Sequence, residues 1–236
     1  GSEAPGSEFI GHDVAQLAGH EAAGITVGDD ARALFQASDT VIDFTVPAAT
    51  AAHAQMAGET GTALIVGTTG LEPAQQDAIV QAATKAPVVQ AANFSAGVNI
   101  LLGLTERAAG ILGDDYDIEV VEMHHRHKVD APSGTALALG SAAAAGRGVD
   151  LESVSQRVRD GHTGPRKAGD IGFATLRGGD VAGDHTVVFA GDGERLELIH
   201  KAGNRAVFAT GAVRAAMWTG GQAPGLYSMA DVLALG

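Results

Sequence analysis

The sequence predicts an α/β protein: a parallel sheet with helices, into which a second, α+β unit is inserted. Three observations carry this. From Ser38 to about Ser95, short apolar runs alternate with helix-length segments in the order strand, helix, strand, helix, strand. After Asp150 that alternation stops, and strand-like runs succeed one another across Gly-rich turns. From Arg205 a helical pattern returns and leads into a short terminal segment. Strands separated by helices imply right-handed crossovers and parallel pairing.

Each element follows from local pattern. DTVIDFTV (39–46) is a short β-branched apolar run that Pro47 ends, and AATAAHAQMAGETG (48–61) is an Ala-rich helix. TALIVG (62–67) is the second strand, and TTG (68–70) turns into a helix over 72–86 with Pro73 in its first turn. PVVQAANFS (87–95) is a third strand running into a loop. GVNILLGLTERAAGILG (97–113) is an amphipathic helix, YDIEVVEM (116–123) a strand, and SGTALALGSAAAAG (133–146) a helix with Ser133 as N-cap. ESVSQRVR, IGFATLRGG, HTVVFAGDG and ERLELIHKA read as an antiparallel meander, with AGDG (190–193) as a hairpin signal. RAVFATGAVRAAMW (205–218) is the returning helix. The expected division is 1–95 with 206–236 for the parallel-sheet unit, and 96–205 for the inserted one.

Composition narrows the function. A net charge of −13, from 28 acids against 15 Lys plus Arg, disfavours sequence-independent nucleic-acid binding and anionic membranes. No apolar run is long enough to span a bilayer, and the opening GSEAPGSEF lacks a basic start followed by an apolar stretch. The chain has no cysteine, which excludes disulfides and cysteine-ligated metals and is compatible with the cytoplasm.

The densest chemical signal is Glu122 to Thr135. His124, His125, Arg126, His127 and Lys128 are five consecutive potential cations just past a strand end, where open α/β sheets bind ligands. A few residues later Ser133, Gly134 and Thr135 open a helix, whose free N–H groups and positive dipole end suit an anion. Together these describe a socket for a small carboxylate beside a histidine proton donor and a lysine cation. Taken alone, such a run is also what a solvated loop looks like. Adjacent histidines in extended chain point to opposite faces, which suits a tetrahedral zinc poorly. Two further strand ends, Gly67–Gly70 and Ala91–Ser95, are small or polar, as for a shared ligand crevice or for ordinary turns.

HHRHKVDAPSGTA (124–136) closely resembles the signature of the dihydrodipicolinate reductases. IDFTVP (42–47), VGTTG (66–70), AANFSAGVN (91–99), GHTG (161–164), DIGFATLRGGD (170–180) and PGLYSMADVL (224–233) resemble that family in order and spacing, over essentially the whole chain. The resemblance implies a Rossmann-like nucleotide-binding domain and an inserted substrate and tetramerisation domain with an open mixed sheet. It implies reduction of a small cyclic dicarboxylate with hydride from NADH or NADPH, after loss of a hydroxyl, in lysine and diaminopimelate synthesis. By position, it makes His124 the general acid and Lys128 its partner donor. His125, Ser133, Gly134 and Thr135 become the carboxylate site. Gly67, Thr68, Thr69, Ala91, Ala92, Asn93 and Phe94 become the walls of the cofactor site, with no metal. A homotetramer without nucleic-acid or membrane partners is expected.

The departure is at the start. The family opens with a strand, a G-x-x-G-x-x-G turn and a helix, and no such turn occurs here. The chain is therefore expected to be N-terminally truncated, beginning where the family's second strand ends. Glu3 falls where the family places the acid on the adenosine ribose, and Ala4 replaces a frequent Arg, which implies a preference for NADH. The alternative is a cofactor-deficient fragment or scaffold that keeps the substrate domain. The absent turn favours it, and the intact His124–Lys128 and Ser133–Thr135 segments oppose it. The double His followed by Lys argues against a different two-domain dehydrogenase.

Overall fold

The computed structural model describes residues 1–235 as two compact units. The first holds Gly1–Ala91 and Ala212–Ser228; the second holds Ala92–Gly211 and the segment from Met229.

The first unit opens with two short helices, α1 (Val14–Leu17) and α2 (Ala31–Gln36), capped by the carboxylates of Asp13 and Asp30. Strands β1 (Thr40–Asp43), β2 (Ala63–Val66) and β3 (Pro87–Gln90) follow, separated by α3 (Pro47–Thr60) and α4 (Pro73–Ala83). Both helices start with proline at the first turn, where its missing N–H costs no hydrogen bond. The three strands pair in parallel in sequence order, β1-β2-β3. Every residue of β2 is buried, as expected of a central parallel strand covered on both faces. Phe35, Leu64, Val66, Ile79 and Val88 form the core with the small faces of α3 and α4.

The second unit begins with α5 (Ala96–Leu112), capped by Ser95, and a 3-10 turn leads into β4 (Asp117–His124). After α6 (Gly134–Arg147) come α7 (Leu151–Val154), β5 (Ser155–Gln156), β6 (Ile171–Arg177), β7 (Gly183–Gly191) and β8 (Glu194–Ala202). The sheet order is β5-β6-β4-β7-β8. This corrects the meander. The β6 strand pairs parallel with both β4 and β5, and only β4–β7 and β7–β8 are antiparallel. The helix α6 returns the chain to the starting end of β4, and the long loop 157–170 does the same between β5 and β6. ESVSQRVR is a helical turn followed by two strand residues. The hairpin expected at 190–193 is present, with Asp192 and Gly193 linking β7 to β8. Alternate residues Ile118, Val120, Ile171, Phe173, Val187 and Phe189 pack against Leu101, Ala136, Leu139 and Ala143 of α5 and α6.

Helix α8 (Ala206–Thr219) carries the chain back to the first unit, where β9 (Gly225–Tyr227) adds in parallel to β3. The last element, α9 (Met229–Leu233), buries Met229 and Val232. No helix of the described residues is long and apolar enough to cross a membrane.

Candidate functional site

In the second unit the apolar face of the sheet turns polar at one end. Ile118 and Val120 give way to Glu122 and His124 on the same face of β4, because side chains alternate along a strand. Register places Glu122 beside His185 of β7, and His185 beside His200 of β8. Arg177 of β6 lies opposite His124.

Glu122 is 1 % exposed and is the hub. Its Oε2 accepts from His124 Nδ1 at 2.6 Å and from Arg177 Nη1 at 2.7 Å. Its Oε1 accepts from Arg177 Nη2 and from the Ser133 N–H, both at 3.0 Å. Burial alone would raise this carboxyl. The paired guanidinium, the imidazole and the amide outweigh it and hold Glu122 below the usual carboxylate range. His185 packs edge-on against His124, ring centroids 5.1 Å apart. Burial first, and then the neighbouring His124, push His185 down to about 4, so it is neutral at physiological pH.

Ser133 caps α6, its Oγ accepting from Ala136 N–H at 3.1 Å. The N–H groups of Gly134 and Thr135 have no acceptor among the described residues. A side chain added at Gly134 would meet nothing within 4 Å. The start of α6 therefore presents two unpaired backbone donors to open space, a geometry that suits an anion. Thr135 Oγ1 accepts from Asn93 Nδ2 at 3.1 Å, which leaves its own proton for another acceptor.

The rest of the cationic run lies in the loop after β4. His125 donates its N–H to Val181 O and its ring lies 6.3 Å from that of His127. Lys128 Nζ pairs with Asp130 at 2.8 Å. No group of three His, Asp or Glu comes together as a metal-binding set among the described residues.

In the first unit the candidates sit at the C-terminal ends of parallel strands. Gly67 lies against the ring of Phe44, where any Cβ would come within 2.2 Å of a ring atom. A side chain there would have to displace the Phe44 ring, which is 53 % exposed. Thr68 is buried, its Oγ1 accepting from Thr45 N–H at 3.0 Å and reaching Asp43 at 3.4 Å. Thr69 is exposed and Ala91 half-buried. Buried Asp43 also accepts from the Thr45 hydroxyl at 2.6 Å and from His53 Nδ1 at 3.1 Å. Burial opposes ionisation of Asp43, but these bonds hold it below the usual range. Glu3 is exposed and donates its N–H to Gly28 O. Ala92, Asn93 and Phe94 belong to the second unit, where Phe94 is buried and Asn93 is tied to Thr135.

Two family models match this chain: "Dihydrodipicolinate reductase, N-terminus" over residues 1–94 and "Dihydrodipicolinate reductase, C-terminus" over residues 97–233. The chain belongs to the dihydrodipicolinate reductase family. It is 57 % identical to the 4-hydroxy-tetrahydrodipicolinate reductase of Rhodopseudomonas palustris strain HaA2, with 99 % of this chain and 86 % of the relative covered. It is 54 % identical to that of Dinoroseobacter shibae, covering 99 % and 87 %. The fold is similar to that of a dipicolinate-bound dihydrodipicolinate reductase from Paenisporosarcina sp. TG-14. The TM-score is 0.73 at 21 % identity, with 98 % of this chain and 87 % of that one covered.

As a reductase of this family the protein works with a nicotinamide cofactor. Phe44 and Gly67 fit such a group, since an exposed aromatic face at the ends of parallel strands suits a flat ring. Sequence reasoning missed Phe44, Asp43, Glu122, Arg177 and His185. Glu122 and Arg177 fell inside strand-like runs, and only their pairing across β4 and β6 reveals them.

Proposed function

We propose that this chain converts 4-hydroxy-tetrahydrodipicolinate to tetrahydrodipicolinate in diaminopimelate and lysine synthesis: the 4-hydroxyl leaves as water, and NADH or NADPH then reduces the ring by hydride with one proton. The observation that carries the reading is the Glu122 carboxylate. One oxygen holds His124 and the other holds the Ser133 N–H, so a proton donor and an anion-binding helix start are built as one piece.

When bound, the reduced nicotinamide supplies hydride to a substrate carbon. His124 supplies the proton that accompanies it, as general acid. Gly134 and Thr135 N–H, the Thr135 hydroxyl and Ser133 at the cap bind one carboxylate. His125 and Lys128 supply cations for the dianion, with Lys128 exchanging Asp130 for substrate. In the first unit Gly67, Thr68, Thr69 and Ala91 flank the cofactor, with Glu3 on the adenosine ribose. The second unit contributes Ala92, Asn93 and Phe94 to cofactor binding. Glu3 followed by Ala4 favours NADH. The working form is a cytoplasmic homotetramer.

Replacing His124 by Gln is expected to lower turnover by about 10²-fold or more, the usual contribution of a positioned acid. Lys128→Ala is expected to be comparably damaging. Steady-state kinetics check both, and parent rates in both variants would refute the assignment.

A further inference from the structure

An imidazole has two nitrogens, and a general acid must aim one of them. The surroundings of His124 choose between them. Nδ1 lies 2.6 Å from Glu122 Oε2, and an ionised carboxylate only accepts. The same carboxylate is locked by two bonds from Arg177, whose guanidinium also donates to the carbonyls of Leu176 and Asp130. Nε2 has no hydrogen-bond partner among the described residues. It lies over Gly183, where a Cβ would stand 3.0 Å from it. Turning the ring over would place a carbon on the buried carboxylate and forfeit a charge-assisted bond.

We propose that Glu122, clamped by Arg177, is a positioning residue that keeps a proton on His124 Nδ1 and thereby makes Nε2 the atom that delivers the proton. The proposal rests on His124 being the acid of the reaction. In the neutral ring the proton is on Nδ1 and Nε2 carries the lone pair; in the charged ring Nε2–H is the donor. Gly183 keeps the approach to Nε2 open.

The other groups facing His124 do not compete for it. His185 on β7 meets it edge-on, its Nε2 3.3 Å from Ser133 Oγ, and is neutral. His200 lies behind His185 on β8, 3.3 Å from Ser95 Oγ. Lys128 is paired with Asp130 in the loop after β4. Among the described residues the only carboxylate bonded to the ring is that of Glu122.

The primary test is ¹⁵N–¹H correlation NMR of the parent protein at alkaline pH, with the His124 signals assigned by their loss in His124→Gln. The Nδ1–H tautomer is expected, and an Nε2–H tautomer overturns the proposal. This measurement decides even where the following variant fails to fold. In Glu122→Gln, kcat is expected to fall about tenfold or more with KM for the cofactor unchanged. In the same variant the carboxylate that holds Nδ1–H is gone, so the Nε2–H tautomer of His124 should become populated. A parent-like kcat and an unchanged His124 tautomer in Glu122→Gln, with His124→Gln impaired, overturn the positioning role alone. A parent rate in His124→Gln overturns the underlying reading of His124 instead.

Discussion

At the scale of single residues, the sequence displayed the groups proposed to face the ligand and hid the groups bonded behind them. His124 and Lys128 stand in an unmistakable cationic run, whereas Glu122 and Arg177 lie 55 positions apart in strand-like segments. A buried ion pair has no local pattern, since only the sheet register brings its members together. Asp43 was hidden for the same reason, its partners Thr45, His53 and Thr68 coming from three different segments. Cofactor choice is also a matter of single residues. Glu3 is exposed and held beside Gly28; in the proposed ribose site its carboxylate would accept from the hydroxyls and repel a 2′-phosphate. Ala4 offers no guanidinium to offset that repulsion. The ratio of kcat/KM for NADH over NADPH is expected to exceed one, and a ratio at or below one contradicts the assignment. Ala4→Arg should move the ratio toward NADPH; an unmoved ratio means that Glu3 does not face the ribose.

At the scale of elements, helix starts and the parallel pairing of the first unit were legible, whereas the partners of β5 and β6 were not. Ser133 caps α6 as its position before an Ala-rich run suggested, because a cap is a local event. The meander was misread because Gly-rich turns look alike whether they close a hairpin or belong to a long return such as 157–170. The start of α6 carries its own prediction. Thr135 Oγ1 already accepts from Asn93, which leaves its hydroxyl proton for another acceptor. Thr135→Val keeps the shape and removes that donor. Substrate binding should weaken by about 1–2 kcal/mol, the usual worth of a hydrogen bond to a charged group. Cofactor affinity, measured by fluorescence titration, should fall less, since it is touched only through Asn93, which loses its Thr135 acceptor. Equal losses for both ligands would mean that this helix start is not a dedicated carboxylate site.

At the scale of the whole molecule, the second unit's sheet has one face under α5 and α6 and another that no described element fully covers. The end of that face near Glu119 is closed by Arg159 and Arg166 from the loop 157–170. Beyond it Val121, Met123 and Val188 are only half-buried, and Leu176 and Ile199 are 51 % and 53 % exposed. A contiguous apolar sheet face rimmed by charge is the kind of surface that associates. The edge strand β8 carries Glu194, Arg195, Glu197 and Lys201, which discourages open-ended strand pairing at that edge. Face-to-face packing between copies is thus favoured over growth along the edge, and closed assemblies satisfy it. A net charge of −13 opposes association at long range, so added salt should favour it. Sedimentation velocity at micromolar concentration is expected to show a tetramer. Leu176→Glu, which places a charge on the uncovered face, should shift the distribution to smaller species with far-ultraviolet circular dichroism unchanged. A strictly monomeric parent, or a tetramer indifferent to Leu176→Glu, would show that this face is not where the subunits meet.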